Sequence, residues 1–176
     1  MFDSNNDTEI TDRQKVRPWV RYWARYIDVY LFTIFILILQ QLMFPTQQFD
    51  MRIAVFGLHF IWVLVEAQLL STWGTTPGKW MLKVKIRDVN NKKLTLKTAL
   101  IRGFLVWSVG MAMYTVFSTI TEAISYMNLL SKGTTVWDKY CNSIVTHEDF
   151  GTERIPLIIG ILVLPIFVLS SLYTLT

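Results

Sequence analysis

Arg21-Tyr22-Trp23-Ala24-Arg25-Tyr26-Ile27-Asp28 runs without a break into Val29 to Leu39, where nearly every side chain is apolar. Pro18 suits the first turn of a helix, where its missing N–H is harmless, and Pro45 closes the run. A helix crossing a bilayer needs roughly 20 mostly apolar residues, and this segment qualifies. Its cost is Asp28, because a charged side chain near the bilayer centre is disfavoured by about 2.5–3.5 kcal/mol on insertion scales. The fold reading therefore turns on how Asp28 is neutralised.

Three further apolar blocks follow: Ile53 to Leu70, Ala99 to Leu130, and Ile155 to Leu175. Of the 176 residues 52% are hydrophobic and only 17% charged, and the charges collect between the blocks. A soluble domain spreads its apolar residues as stripes instead. The expected fold is mainly α, with three to four membrane segments, one of them re-entrant. Residues 1–17 read as a polar tail, 18–147 as the membrane domain, and 148–176 as a linker with a last membrane helix. The acidic start is unlike a signal peptide, and no internal repeat is expected.

Between the second and third blocks the periodicity falls to two. Leu82, Val84 and Ile86 alternate with Lys83, Lys85 and Arg87, and Leu94 to Lys97 alternate again after the turn formers of Asp88 to Lys93. This predicts a small β-hairpin at the membrane surface. Residues 72–102 carry eight Lys and Arg, the N-terminal segment carries five, and the loop between the first two helices has only Arg52 at its edge. By the positive-inside rule, the N-terminus and the hairpin face the cytoplasm and the protein sits in the inner membrane. The lysines and arginine of the strand suit anionic lipid headgroups, at roughly 1 kcal/mol per basic residue, better than nucleic acid.

Three acids lie inside apolar blocks: Asp28, Glu66 and Glu122. Arg21, Arg25 and Asp28 fall on one helical stripe, which offers Arg25 as a direct partner for Asp28 and leaves Arg21 in need of an acid from elsewhere. His59 and Glu66 share a face of the second helix. Such charges either lock helices together or line a route for an ion or proton. Gly74-Thr75-Thr76-Pro77-Gly78-Lys79 lacks the spacing of a phosphate loop, and Pro77-Gly78 suits the centre of a type II turn. Cys141, the only cysteine, and His147 have no visible orienting partner for nucleophilic catalysis. Neither an enzyme, a metal site nor a cofactor is expected.

Taken together these stretches resemble the RDD family of small membrane proteins, named for one arginine and two aspartates. The likeness rests on Arg21 to Asp28, on Gly74 to Lys79 with the strand Leu82 to Ile86 and Arg102, and on Val136-Trp137-Asp138-Lys139 with Ser143-Ile144-Val145. The chain departs from the family pattern at Trp137 and at Tyr140 to Ser143. The resemblance implies that Arg21, Asp28 and Asp138 are the characteristic residues, and it implies a role in transport without a shared substrate, or one as an accessory subunit.

If the third block spans once, Asp138 ends far from Arg21. If it re-enters, breaking near Ser118 to Thr121, Asp138 comes back to Arg21 and Ser143 to Val145 joins the hairpin. The need of Arg21 for an acid, and the uncharged tail after Arg154, favour re-entry. The leading expectation is an oligomeric transporter of a small cation or protons, with Arg21, Arg25, Asp28, Glu66 and Asp138 at its centre and His59, Arg102 and Glu122 beside them. The competing expectation is a non-transporting scaffold or accessory subunit.

Overall fold

The computed structural model describes residues 17–44, 51–112, 117–148, 151 and 153–175. The expected polar tail, apart from Arg17, and most of the return between the first two helices lie outside the described residues. Helix α1 runs Pro18–Met43, α2 Met51–Thr72 and α3 Pro77–Met81, followed by strand β1 Val84–Asp88. Helix α4, Leu96–Leu105, passes into a π-helical turn, Val106–Gly110. Helix α5, Ser118–Lys132, leads to the short α6, Val136–Tyr140, then β2, Ser143–His147, and finally α7, Arg154–Leu175.

Helices α1 and α7 are each long and apolar enough to cross a membrane. They lie against one another, and the Tyr30 hydroxyl donates to the Leu162 carbonyl at 2.6 Å. α1 buries a single stripe that includes Ala24, Ile27, Asp28 and Ile34, while Trp19, Trp23, Tyr26 and Phe35 stay exposed. A small core joins this stripe to Ala67 and Leu70 of α2, Met81 of α3 and the inward side chains Val84, Ile86 and Val145 of the strands.

Three expectations are corrected. β1 does not fold back on Leu94 to Lys97; it pairs antiparallel with β2, Val84 opposite His147 and Asp88 opposite Ser143. The nearer partner is lost because the Thr95 side chain accepts from the Thr98 N–H and caps α4, so Leu96 and Lys97 enter a helix. Pro77 and Gly78 form no type II turn: Pro77 opens α3, and Gly78 is not among the positive-φ residues. The third apolar block does break, but ahead of the predicted place. The π turn ends at Gly110, whereas residues 118–121 are already helical in α5. The anticipated return of Asp138 to Arg21, and the joining of residues 143–145 to the sheet, are both found.

Contrary to expectation, the chain also contains an internal repeat. Gly74-Thr75-Thr76 and Gly133-Thr134-Thr135 open two copies of one unit, 59 positions apart. In each copy a helix ends and a glycine with positive φ follows (76° at Gly74, 68° at Gly133). A threonine then precedes a five-residue helix, α3 or α6. A second positive-φ residue comes next, Lys83 at 52° and Asn142 at 48°. Each copy closes on a five-residue strand, and the strands pair antiparallel about Ile86 and Val145. Only Gly-Thr-Thr is identical in this segment, and the ionic position is inverted: Lys79 in one copy corresponds to Asp138 in the other.

Candidate functional site

α3 docks end-on against α1 where Gly78 meets Ala24 and Asp28. A Cβ on Gly78 would collide with the Ala24 carbonyl oxygen and stand 3.0 Å from the Asp28 carboxyl carbon. Without that Cβ, the Gly78 N–H reaches Asp28 Oδ1 at 2.6 Å. The Thr76 hydroxyl donates to Asp28 Oδ2 at 2.5 Å. Lys79 Nζ lies 3.1 Å from the same oxygen and 2.8 Å from Glu66 Oε1 of α2. Asp28 is therefore held by an ammonium, a hydroxyl and an amide. The expected Arg25–Asp28 pair does not form, because α3 occupies the carboxylate.

The second copy of the unit builds the complementary centre. Thr135 donates to Asp138 Oδ2 at 2.7 Å and Ser143 to Oδ1 at 2.9 Å. Arg102 of α4 binds Oδ1 through Nε and Nη2, both at 2.9 Å, and Arg21 of α1 reaches Oδ2 at 3.1 Å. Glu66 connects the two centres, since Arg102 Nη1 lies 3.9 Å from its carboxylate. The ionic chain reads Asp28–Lys79–Glu66–Arg102–Asp138–Arg21, three carboxylates and three cations. Five of the six residues are no more than 5% exposed; Arg21 is the outermost. Internal neutrality is what permits so dense a buried cluster, because an unpaired charge there would carry its full desolvation cost.

At the sheet, Arg21 Nε donates to His147 Nε2 at 3.2 Å. Burial lowers the His147 pKa to about 4, and the Arg21 and Arg17 cations add to the shift. Burial alone would raise the Asp138 carboxyl; Arg102, Arg21 and the Thr135 and Ser143 hydroxyls outweigh it and hold the group below the ordinary value.

Of the expected residues, Arg21, Asp28, Glu66, Arg102 and Asp138 all belong to the chain of charges. Arg25 and Glu122 make no ion pair in it, although the Arg25 charge acts on Glu66 through space. Both line a cavity of about 120 Å³ that Arg21, Lys79, Arg102 and Asp138 also border. His59, Glu66 and Arg25 border a crevice between α1, α2 and the π-helical turn, in keeping with a shared face for His59 and Glu66. Sequence reasoning placed Lys79 only in a turn and so missed the central cation, although two acids without bases called for one. Thr76, Thr135, Ser143 and His147 were missed as partners. Among the described residues no group of three or more His, Cys, Asp or Glu is arranged to hold a metal ion.

Apolar helices around a largely buried, ion-paired chain of charges mark a membrane protein. The chain matches the RDD family over residues 16–142 and belongs to it. Arg21, Asp28 and Asp138, the arginine and aspartates that the resemblance singled out, all lie within this stretch. Comparison with curated proteins and with solved structures found no significant match.

Proposed function

We propose that this is a multi-pass inner-membrane transporter of the secondary type, in which the six-residue ionic chain couples protons to a small cation. In this reading α1, α2 and α7 cross the bilayer, residues 96–132 enter and return, and the N-terminus and the sheet face the cytoplasm, where the basic residues concentrate. So few segments enclose no pathway on their own, so the working form is an oligomer.

The observation that carries the reading is the shared position of Glu66, 2.8 Å from Lys79 and 3.9 Å from Arg102. Protonating Glu66 removes one negative charge from a balanced set and leaves an excess cation on the Arg102–Asp138–Arg21 side. In a low-dielectric interior that excess is disfavoured, so proton entry favours the exit of a second positive charge. Coupled exchange needs this condition.

Flux of protons against sodium or potassium in proteoliposomes tests the proposal. The wild type is expected to exchange them, and Glu66→Gln to lose at least about tenfold of the rate while remaining folded. Full exchange by Glu66→Gln, or none by the wild type, would remove the proposal.

A second reading, a scaffold or accessory subunit, draws on the matching of every charge in the relay. Such matching also suits a lock with no mobile ion. It predicts co-purifying protein and no flux.

A further inference from the structure

Arg25 of α1 and Glu122 of α5 stand outside the ionic chain. Both are half-buried and both line the 120 Å³ cavity. Among the described residues neither forms a hydrogen bond or an ion pair, and Arg25 acts on Glu122, as on Glu66, only from beyond ion-pair distance. Holding two opposite charges apart in a membrane protein is unfavourable unless something lies between them. Tyr22, Tyr126 and Trp137 line the same cavity and can place ring faces against a cation.

The repeated unit explains why the space exists. Val63, Glu66, Ala67 and Leu70 of α2 correspond at 59 positions to Glu122, Ser125, Tyr126 and Leu129 of α5. In the first copy α4 covers this face, with Gly103 against Val63 and Arg102 toward Glu66. In the second copy the corresponding helix, α7, packs on α1 instead. The equivalent face of α5 is left fronting the cavity.

We propose that this cavity binds a zwitterion, a molecule carrying an ammonium and a phosphate a few ångströms apart. Glu122 and the aromatic rings take the ammonium, and Arg25 takes the phosphate. The same chemistry is presented by the headgroup of phosphatidylethanolamine and by soluble glycerophosphoethanolamine. The cavity adjoins the relay, since Arg21, Lys79, Arg102 and Asp138 also line it. Binding is assigned to Arg25 and Glu122, outside the ion-paired chain, and is measured as binding and not as exchange.

The test measures binding to the full-length protein, by calorimetry with glycerophosphoethanolamine and by lipid retention from nanodiscs of phosphatidylethanolamine or phosphatidylglycerol. Expected are retention of phosphatidylethanolamine over phosphatidylglycerol, or saturable binding of glycerophosphoethanolamine. The first outcome assigns the site to a lipid and the second to a solute. Arg25→Gln and Glu122→Gln should each weaken binding at least tenfold, while Arg25→Lys and Glu122→Asp retain most of it. Glu122→Gln should leave the melting temperature unchanged, since no hydrogen bond or ion pair is lost. Arg25→Gln also removes a cation that acts on Glu66, so Arg25→Lys serves as its folded control. Retention of phosphatidylglycerol indifferent to Glu122→Gln, or binding of neither probe, would overturn the proposal.

Discussion

Asp28 shows how a carboxylate is carried into an apolar helix: the Gly78 amide, the Thr76 hydroxyl and the Lys79 ammonium converge on it from one short segment. Lys79 is shared with Glu66, so its removal strips two buried acids of their nearest cation. Lys79→Met should destabilise the protein by about 3–5 kcal/mol, the usual cost of breaking a buried pair from one side, measured as thermal unfolding in detergent. Gly78→Ala should cost roughly 1–3 kcal/mol through overpacking against α1 in the same assay. His147 gives a pH signature. Its folded pKa of about 4 lies below the ordinary 6.5, so the unfolded chain takes up the proton first. Stability is full above about 6.5 and declines as the pH falls toward about 4. Asp138, held low, keeps its contribution down to the ordinary carboxylate value of 3.8 and loses it below. A melting series from pH 8 to 4 should therefore decline, and His147→Gln should flatten the decline.

At the level of elements, most helices were legible because their signal is local. The apolar run after Pro18, the block beyond Arg154 and the period-two alternation of Val84 to Arg87 each announce their own secondary structure. What β1 pairs with is not local: Leu94 to Lys97 alternates as well as Ser143 to His147 does, and only the Thr95 cap decides between them. The repeat was hidden for a different reason. Its copies share a backbone path more than side chains, and charge inversion between Lys79 and Asp138 removes any ionic resemblance between them. The path itself is testable. Lys83 and Asn142 occupy the left-handed region at equivalent points, where asparagine is tolerated better than lysine. Lys83→Gly should thus stabilise by about 1 kcal/mol and Asn142→Gly by less, read as shifts in thermal unfolding.

Across the whole molecule, α1 supplies a partner to each copy of the unit, Asp28 to Lys79 and Arg21 to Asp138. The two partners lie two turns apart on one face, which the sequence spacing did display. The identity of the acid that meets Arg21 required the third apolar block to turn back, and no charge pattern in residues 128–154 could settle that. The central claim is that both strands, and with them both ends of the ionic chain, lie at one face of the membrane. Impermeant maleimide labelling tests it most directly, applied from each side in turn to Lys85→Cys and to Thr146→Cys, cross-strand partners, each in a Cys141→Ser background. The account predicts that both positions react from the cytoplasmic side alone; reaction of the two from opposite sides would contradict it.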